Sequence, residues 1–245
     1  MKNLEELEKN LGIRFKDKNL LLTALVHRSF LNEHPEYKGE SNERLEFLGD
    51  AVLDFVVSEY LFKNFHLSEG EMTDIRSFFV KTPHLSETAK NLGIEKFLFL
   101  SKGEKKDKRG KKLILASALE AIIGAIFLDQ GIKKTKAFIK KFILKDAKKI
   151  IKKGHFKDPK TLFQEFSQKE WKITPEYKVL REWGPEHEKE FEVGVFLGKK
   201  LLAKGHGFSK KEAEEEAAKN AIKEIKTKGL DTKKLKNKIK ESLKV

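Results

Sequence analysis

The segment NERLEFLGDAVLDF, Asn42 to Phe55, carries Glu43, Glu46, Asp50 and Asp54 inside a run of large apolar residues. Acidic side chains three and four residues apart share one face of a helix, and Glu46 and Asp50 lie one turn apart on it. Leu45, Leu48, Val52, Phe55 and Val56 cover the other faces. Carboxylates this close repel one another and raise one another's pKa unless a cation stands among them. Oxygen donors that leave positions for water suit Mg²⁺ or Mn²⁺. Taken alone, the helix reads first as a solvated acidic stripe, partly offset by Arg44.

A second acid changes that balance. Ile114 to Leu128 is nearly all apolar except for Ser117 and Glu120. A lone carboxylate in such a helix is unfavourable unless it meets a positive charge or a metal. Ala118, Ala121, Gly124 and Ala125 are small enough for another helix to approach closely. The economical arrangement sets Glu120 against Glu46 and Asp50, so that the two helices complete one metal site.

These residues need a helical frame. From Met1 to about Ile151, apolar residues recur at helix spacing in LLLTALVHRSF, VLDFVVSEYLFKNF, MTDIRSFFVKTPHLSETAKNLG and ILASALEAIIGAIFLDQG. GEKKDKRGKK, Gly103 to Lys112, reads as a charged surface loop. Residues 152–158 read as a linker, with His155 a solvated residue within it. The texture then changes. Thr161 to Trp171 reads as a helix, and Tyr177, Val179 and Trp183 fall on alternate positions of a strand. Phe191, Val193, Val195 and Leu197 alternate on a second strand, and LLAKGHG forms a third. Ser209 caps a last helix with Ala213, Ala217, Ala218, Ala221 and Ile225 as its apolar stripe. An α-β-β-β-α order buries one face of a small antiparallel sheet under helices. Residues 227–245 read as a basic tail, with a marginal docked helix along Leu230, Leu235, Ile239 and Leu243 as the alternative.

Composition narrows the partners. The 245 residues carry 52 Lys and Arg against 38 Asp and Glu, a formal charge of +14. Such an excess favours a polyanion, nucleic acid ahead of membrane. There is no Cys, which excludes disulfides and thiolate metal sites and fits a reducing cytoplasm. The acidic, amphipathic start MKNLEELEKNLG is unlike a signal peptide. No apolar run reads as long enough to span a bilayer.

NERLEFLGDAVL, with HRSF, EGEMTDIRSFFV and ALEAIIGAIFLD around it, resembles the signature of the ribonuclease III family. PEYKVLREWGPEH and GFSKKEAEEEAAKNAI resemble that family's double-stranded RNA binding domain. The resemblance covers the chain apart from the tail. It implies an all-α endonuclease domain over residues 1–151 and a linker over 152–158. An α+β RNA-binding domain over 159–226 and a basic extension over 227–245 follow. It further implies a homodimer, with Phe47 entering a pocket of the partner, and metal held by Glu46, Asp50 and Glu120. Glu43 and Glu69 match further acids associated with cleavage. The implied cofactor is Mg²⁺, with Mn²⁺ able to substitute, and no small-molecule cofactor or membrane is implied.

The implied reaction is metal-assisted hydrolysis of double-stranded RNA to 5′-phosphate and 3′-hydroxyl ends, in the processing of ribosomal RNA precursors and other structured transcripts. His27, in HRSF, reads as structural rather than as a base. A-form RNA is recognised by shape, through its wide minor groove and its phosphates. By resemblance, Thr161, Gln164 and Glu165 on the first helix of the second domain and His187 in the GPEH loop face minor grooves. Lys210 and Lys211 sit at the start of the last helix, where the dipole also favours phosphate.

One position departs from the family pattern Asp-x-x-Glu: the chain has Ser117-Ala118-Leu119-Glu120. A hydroxyl is a neutral, weaker ligand than a carboxylate. Lys81 also stands where the family usually has Asn. Two readings stay open. Either Ser117 hydrogen bonds to a metal-bound water in a working nuclease, or the chain binds duplex RNA with cleavage weakened or lost. A structural subunit of a larger ribonucleoprotein is a third class.

Overall fold

The helical periodicity of the first half resolves into helices, several of them with side-chain caps at their start. The computed structural model describes residues 3–106, 110–154, 156, 158–185 and 189–227. The chain forms two units, Met1–Phe156 and Lys157–Val245. In the first, α1 (Leu4–Leu11) starts at Asn3, whose side chain accepts from the Glu6 N–H, and ends at left-handed Gly12. Next come α2 (Lys18–Ala24) and α3 (Arg28–Glu33). LLLTALVHRSF is therefore broken rather than one helical stretch. Val26 bridges Phe99 in parallel, and the His27 N–H donates to the Phe99 carbonyl at 3.1 Å. The His27 ring then caps α3, its Nδ1 accepting from the Ser29 N–H, so this histidine is structural as expected.

The signature and the apolar run after it form one helix, α4 (Glu43–Asn64). A capping box between Ser68 and Glu71 opens α5 (Glu69–Val80). The helix-spaced segment from Met72 to Gly93 divides at an extended Lys81, and Pro83 lies in the first turn of α6 (Thr82–Asn91). Pro lacks the N–H that would continue the upstream helix, so the break is local in origin. A 3-10 turn (Ile94–Phe97) and a short helix α7 (Lys102–Lys106) follow. The segment expected to be a loop from Gly103 thus holds most of a short helix. Helix α8 (Lys111–Phe142) then starts before the expected loop ends, and α9 (Ala147–Lys153) runs into the expected linker.

The centre of the first unit is α8. Ile114 to Ile126 is buried except at Ser117 and Glu120, with α4 and α6 packed along it. Each buried Ile or Leu side chain contributes about 1.5–3 kcal/mol by leaving water. By length and composition alone α8 could cross a bilayer, contrary to the expectation that no run is long enough. Its burial inside the helical unit gives that apolarity a packing cause. Gly131, at φ 75 and ψ 175, interrupts the helix.

The second unit has the expected order: α10 (Pro159–Trp171), β1 (Glu176–Trp183), β2 (Glu190–Leu197), β3 (Lys200–Gly207) and α11 (Lys210–Thr227). The sheet is antiparallel in the order β1-β2-β3. Phe163 and Trp171 of α10 and Ala217, Ala218 and Ala221 of α11 bury Val195, Leu197 and Ala203 on one face of it. A Cβ on Gly205 would lie 2.2 Å from the Ala217 nitrogen, so α11 rests directly on β3. The alternation expected along β1 fails. The register shifts between Val179 and Arg181, and Val179 and Trp183 are 42% and 41% exposed. An extra residue in one strand reverses which way the following side chains face, which applies to Trp183; Val179 precedes the shift and is exposed on the edge strand β1. His155, His187 and residues 228–245 of the basic tail lie outside the described residues.

Candidate active site

Two glycines let α4 and α8 touch backbone to backbone. A Cβ on Gly49 would lie 1.7 Å from the Glu120 carbonyl oxygen, and one on Gly124 would lie 2.3 Å from that of Leu45. No side chain fits at either position. The two contacts also give direction: Gly49 meets Glu120 while Leu45 meets Gly124, so the helices run antiparallel. Ala118, Ala121, Gly124 and Ala125, the small residues expected to admit a neighbour, are all buried.

This crossing brings Glu120 to the acidic face of α4. Glu120 is half-buried. Its pKa is pushed up to about 8, first by burial and then by the charges of Asp50, Glu46 and Asp54. Asp50 is also raised, by burial and by Asp54. The two ends of the acidic row are neutralised by the protein itself. Glu43 accepts from Ser41 Oγ at 3.0 Å and from Arg28 at 3.4 Å. Glu59 pairs with Lys63 at 2.8 Å and Lys136 at 2.5 Å, and hydrogen bonds from these two lysines hold its carboxyl below the usual value. Between these ends, the carboxylates of Glu46, Asp50, Asp54 and Glu120 have no hydrogen bond or ion pair among the described residues. Arg44 pairs instead with Glu40 at 3.1 Å, in the segment that precedes α4.

Four unpartnered carboxylates and the half-buried Ser117 hydroxyl are hard oxygen donors, a set suited to a divalent cation of the Mg²⁺ or Mn²⁺ type. Among the described residues, no group of three or more acidic or imidazole side chains is gathered closely enough to hold a metal ion as it stands. The donors fit by chemistry, and a cation would have to draw them inward.

The other sequence candidates lie elsewhere. Glu69 is the first residue of α5, where it accepts from Thr73 Oγ1 at 3.2 Å. It lines a cleft of about 480 Å³ with Phe55, Phe62, Met72 and Arg76, and does not join the cluster within this chain. Phe47, expected at a dimer contact, is 81% exposed, and Phe55 and Phe62 are exposed on the same side of α4 at 54% and 76%. Lys81 is exposed at the joint of α5 and α6. Asp54 is an acid that the sequence candidates omit. It follows Asp50 by one helical turn, a spacing that by itself also fits a solvated stripe.

In the second unit, the Thr161 hydroxyl donates to Asp158 at 2.6 Å as part of the α10 cap, while Gln164 and Glu165 are exposed on the next turn. Lys210 and Lys211 are exposed on the first turn of α11, which Ser209 caps by accepting from the Glu212 N–H at 3.1 Å.

Comparison with known proteins matches the two-part organisation of the chain. Residues 17–147 match the family model described as Ribonuclease-III-like, and residues 159–225 match the double-stranded RNA binding motif. Ribonuclease 3 of a Nitratiruptor species is 45% identical over 228 residues, 92% of this chain and 98% of that protein. Ribonuclease 3 of Carboxydothermus hydrogenoformans is 45% identical over 226 residues, 91% of this chain and 96% of that protein. A solved nuclease domain of ribonuclease III from Campylobacter jejuni is 45% identical, with a TM-score of 0.53, covering 60% of this chain and 97% of that one. A second structure of that domain, 44% identical with a TM-score of 0.53, covers 58% of this chain and 97% of that one; it describes flexibility in a region involved in dimer formation. The chain belongs to the ribonuclease III family and is an endoribonuclease of that type.

Proposed function

We propose that the chain cleaves double-stranded RNA in a reaction that depends on Mg²⁺, with Mn²⁺ able to substitute, and leaves 5′-phosphate and 3′-hydroxyl ends. The observation that carries this reading is the set of unpartnered carboxylates at the Gly49–Gly124 crossing, between end acids that the protein neutralises itself. Glu46, Asp50 and Glu120 would hold the cation, with Ser117 hydrogen bonded to its water. When bound, the metal supplies Lewis-acid activation of water and stabilises charge on the leaving oxygen. The residues of the chain fix where that happens: the α4–α8 crossing sets the acids, and burial of Glu120 keeps it short of water. Glu43 and Glu69 act outside this set.

The cleaving species is a homodimer in this reading. Phe47, Phe55 and Phe62 give α4 an exposed apolar side, and the cleft beside Phe55 and Phe62 offers a receptor for an aromatic ring. Gln164, Glu165 and Thr161, with His187, read minor grooves, and Lys210 and Lys211 hold phosphate. The work falls in the reducing cytoplasm, on ribosomal RNA precursors and other structured transcripts.

A second reading has one observation in its favour. The acids are not gathered to hold a metal as they stand, and Ser117 adds no charge. In that case the chain binds duplex RNA without cutting it. Incubating the purified full chain with a long RNA duplex in Mg²⁺, then in Mn²⁺, separates the two. Short products with 5′-phosphates are expected. Intact duplex in both metals, despite a gel shift, overturns the nuclease reading. Cutting that appears only after Ser117→Asp identifies that serine as the lesion.

A further inference from the structure

Ser117 leaves the donor set short of a charge on α8, and the register of the α4–α8 crossing shows what stands opposite. Moving from Gly49 back to Leu45 on α4 moves from Glu120 forward to Gly124 on α8. The same antiparallel register, followed the other way, takes Glu120 back to Ser117 as it takes Gly49 forward to Val52. Val52 lies on the turn between Asp50 and Asp54. At 1.5 Å of rise per residue, Ser117 is therefore about 3 Å along the helix axis from the level of either acid.

Asp54 is half-buried, and its charge is felt at both Asp50 and Glu120. Among the described residues it also lacks the lysine partners that Glu59 has in Lys63 and Lys136. We propose that Asp54 is a fourth carboxylate of the cation site, standing across from Ser117 and supplying from α4 the negative charge that α8 lacks there. The inference rests on the reading of Glu46, Asp50 and Glu120 as cation ligands. Affinity of an oxygen site for a hard divalent cation follows the number of charged ligands, so a carboxylate lost on one helix can be offset from the facing one. A bystander Asp54 would act on the cation only through a screened attraction weakened by distance, so its neutralisation would change metal binding little.

The test is Mn²⁺ binding to the full chain without RNA, read by the free-ion electron paramagnetic resonance signal. Asp54→Asn keeps the side-chain shape, and thermal melts in EDTA verify that the variant folds. The expected result is weakening of Mn²⁺ binding by about tenfold or more. Adding Ser117→Asp to Asp54→Asn should then restore it. Binding by Asp54→Asn within twofold of the parent, while Glu120→Gln loses it, overturns the role of Asp54 and leaves the proposed metal site standing. Binding unchanged in Glu120→Gln as well removes the metal site itself, and this inference with it.

Discussion

At the scale of single residues, Glu120 makes the stability of the protein without metal depend on pH. Its ordinary pKa is 4.5, and burial with three neighbouring acids raises it to about 8 in the fold. Between those values the folded chain holds a proton that the unfolded chain has released. Stability contributed by this group is therefore present at low pH and lost as pH rises toward about 8. In EDTA, the parent should lose more melting temperature than Glu120→Gln between pH 5.5 and pH 8. Mg²⁺ at pH 8 should recover the parent and leave the variant where it was. Parallel melting curves for the two proteins across that range would refute the assignment. Glu120 was legible in the sequence because a carboxylate in an apolar run has no cheap explanation. Asp54 was not, because one turn beyond Asp50 it reads as more of a solvated stripe until α8 is laid beside it. The separation of Glu43 from the cluster was also hidden, since its cation comes from Arg28, on another helix.

At the scale of elements, the site is only as good as the contact between two helices. Gly49 and Gly124 allow that contact, and Gly49 has the tighter restriction. Gly49→Ala places a methyl on the Glu120 carbonyl and must push α4 and α8 apart. Overpacking of this kind costs about 3 kcal/mol. Urea unfolding should show that loss, with weaker Mn²⁺ binding because Glu120 moves with its backbone. Gly70→Ala is the matched control. A Cβ there meets nothing within 4 Å, so the substitution should be neutral or stabilise α5 by up to about 1 kcal/mol. Equal stability of the two variants would mean that α4 and α8 do not meet at Gly49. The short α7 falls where a loop was expected, whereas the existence of the long helices α4, α5, α6 and α8 was legible from apolar spacing. The breaks were less so. The joint between α2 and α3 depends on Val26 meeting Phe99, far along the chain, and the bulge in β1 depends on its pairing with β2. Neither leaves a periodic trace in its own segment.

At the scale of the whole molecule, the carboxylates and the candidate phosphate lysines lie on different units, so binding and cutting should respond separately to substitution. The change of texture near residue 158 made the two units legible, and the +14 charge favoured a polyanionic partner that the motifs of the second unit narrowed to duplex RNA. Charge alone could not say which cations matter, because Lys is spread along the whole chain. Lys210 and Lys211 stand out by place: they occupy the first turn of α11, where a cation is otherwise disfavoured by the helix dipole. Replacing both with Ala should weaken duplex binding nearly uniformly across sequences. The slope of log affinity against log salt should fall by about 1 per lysine. Cleavage rate at saturating duplex should be unchanged, because neither side chain belongs to the cation site. A salt slope equal to the parent's would remove their phosphate role. A fall in the saturated rate, with affinity intact, would mean that α11 acts on the chemistry rather than on capture of the duplex.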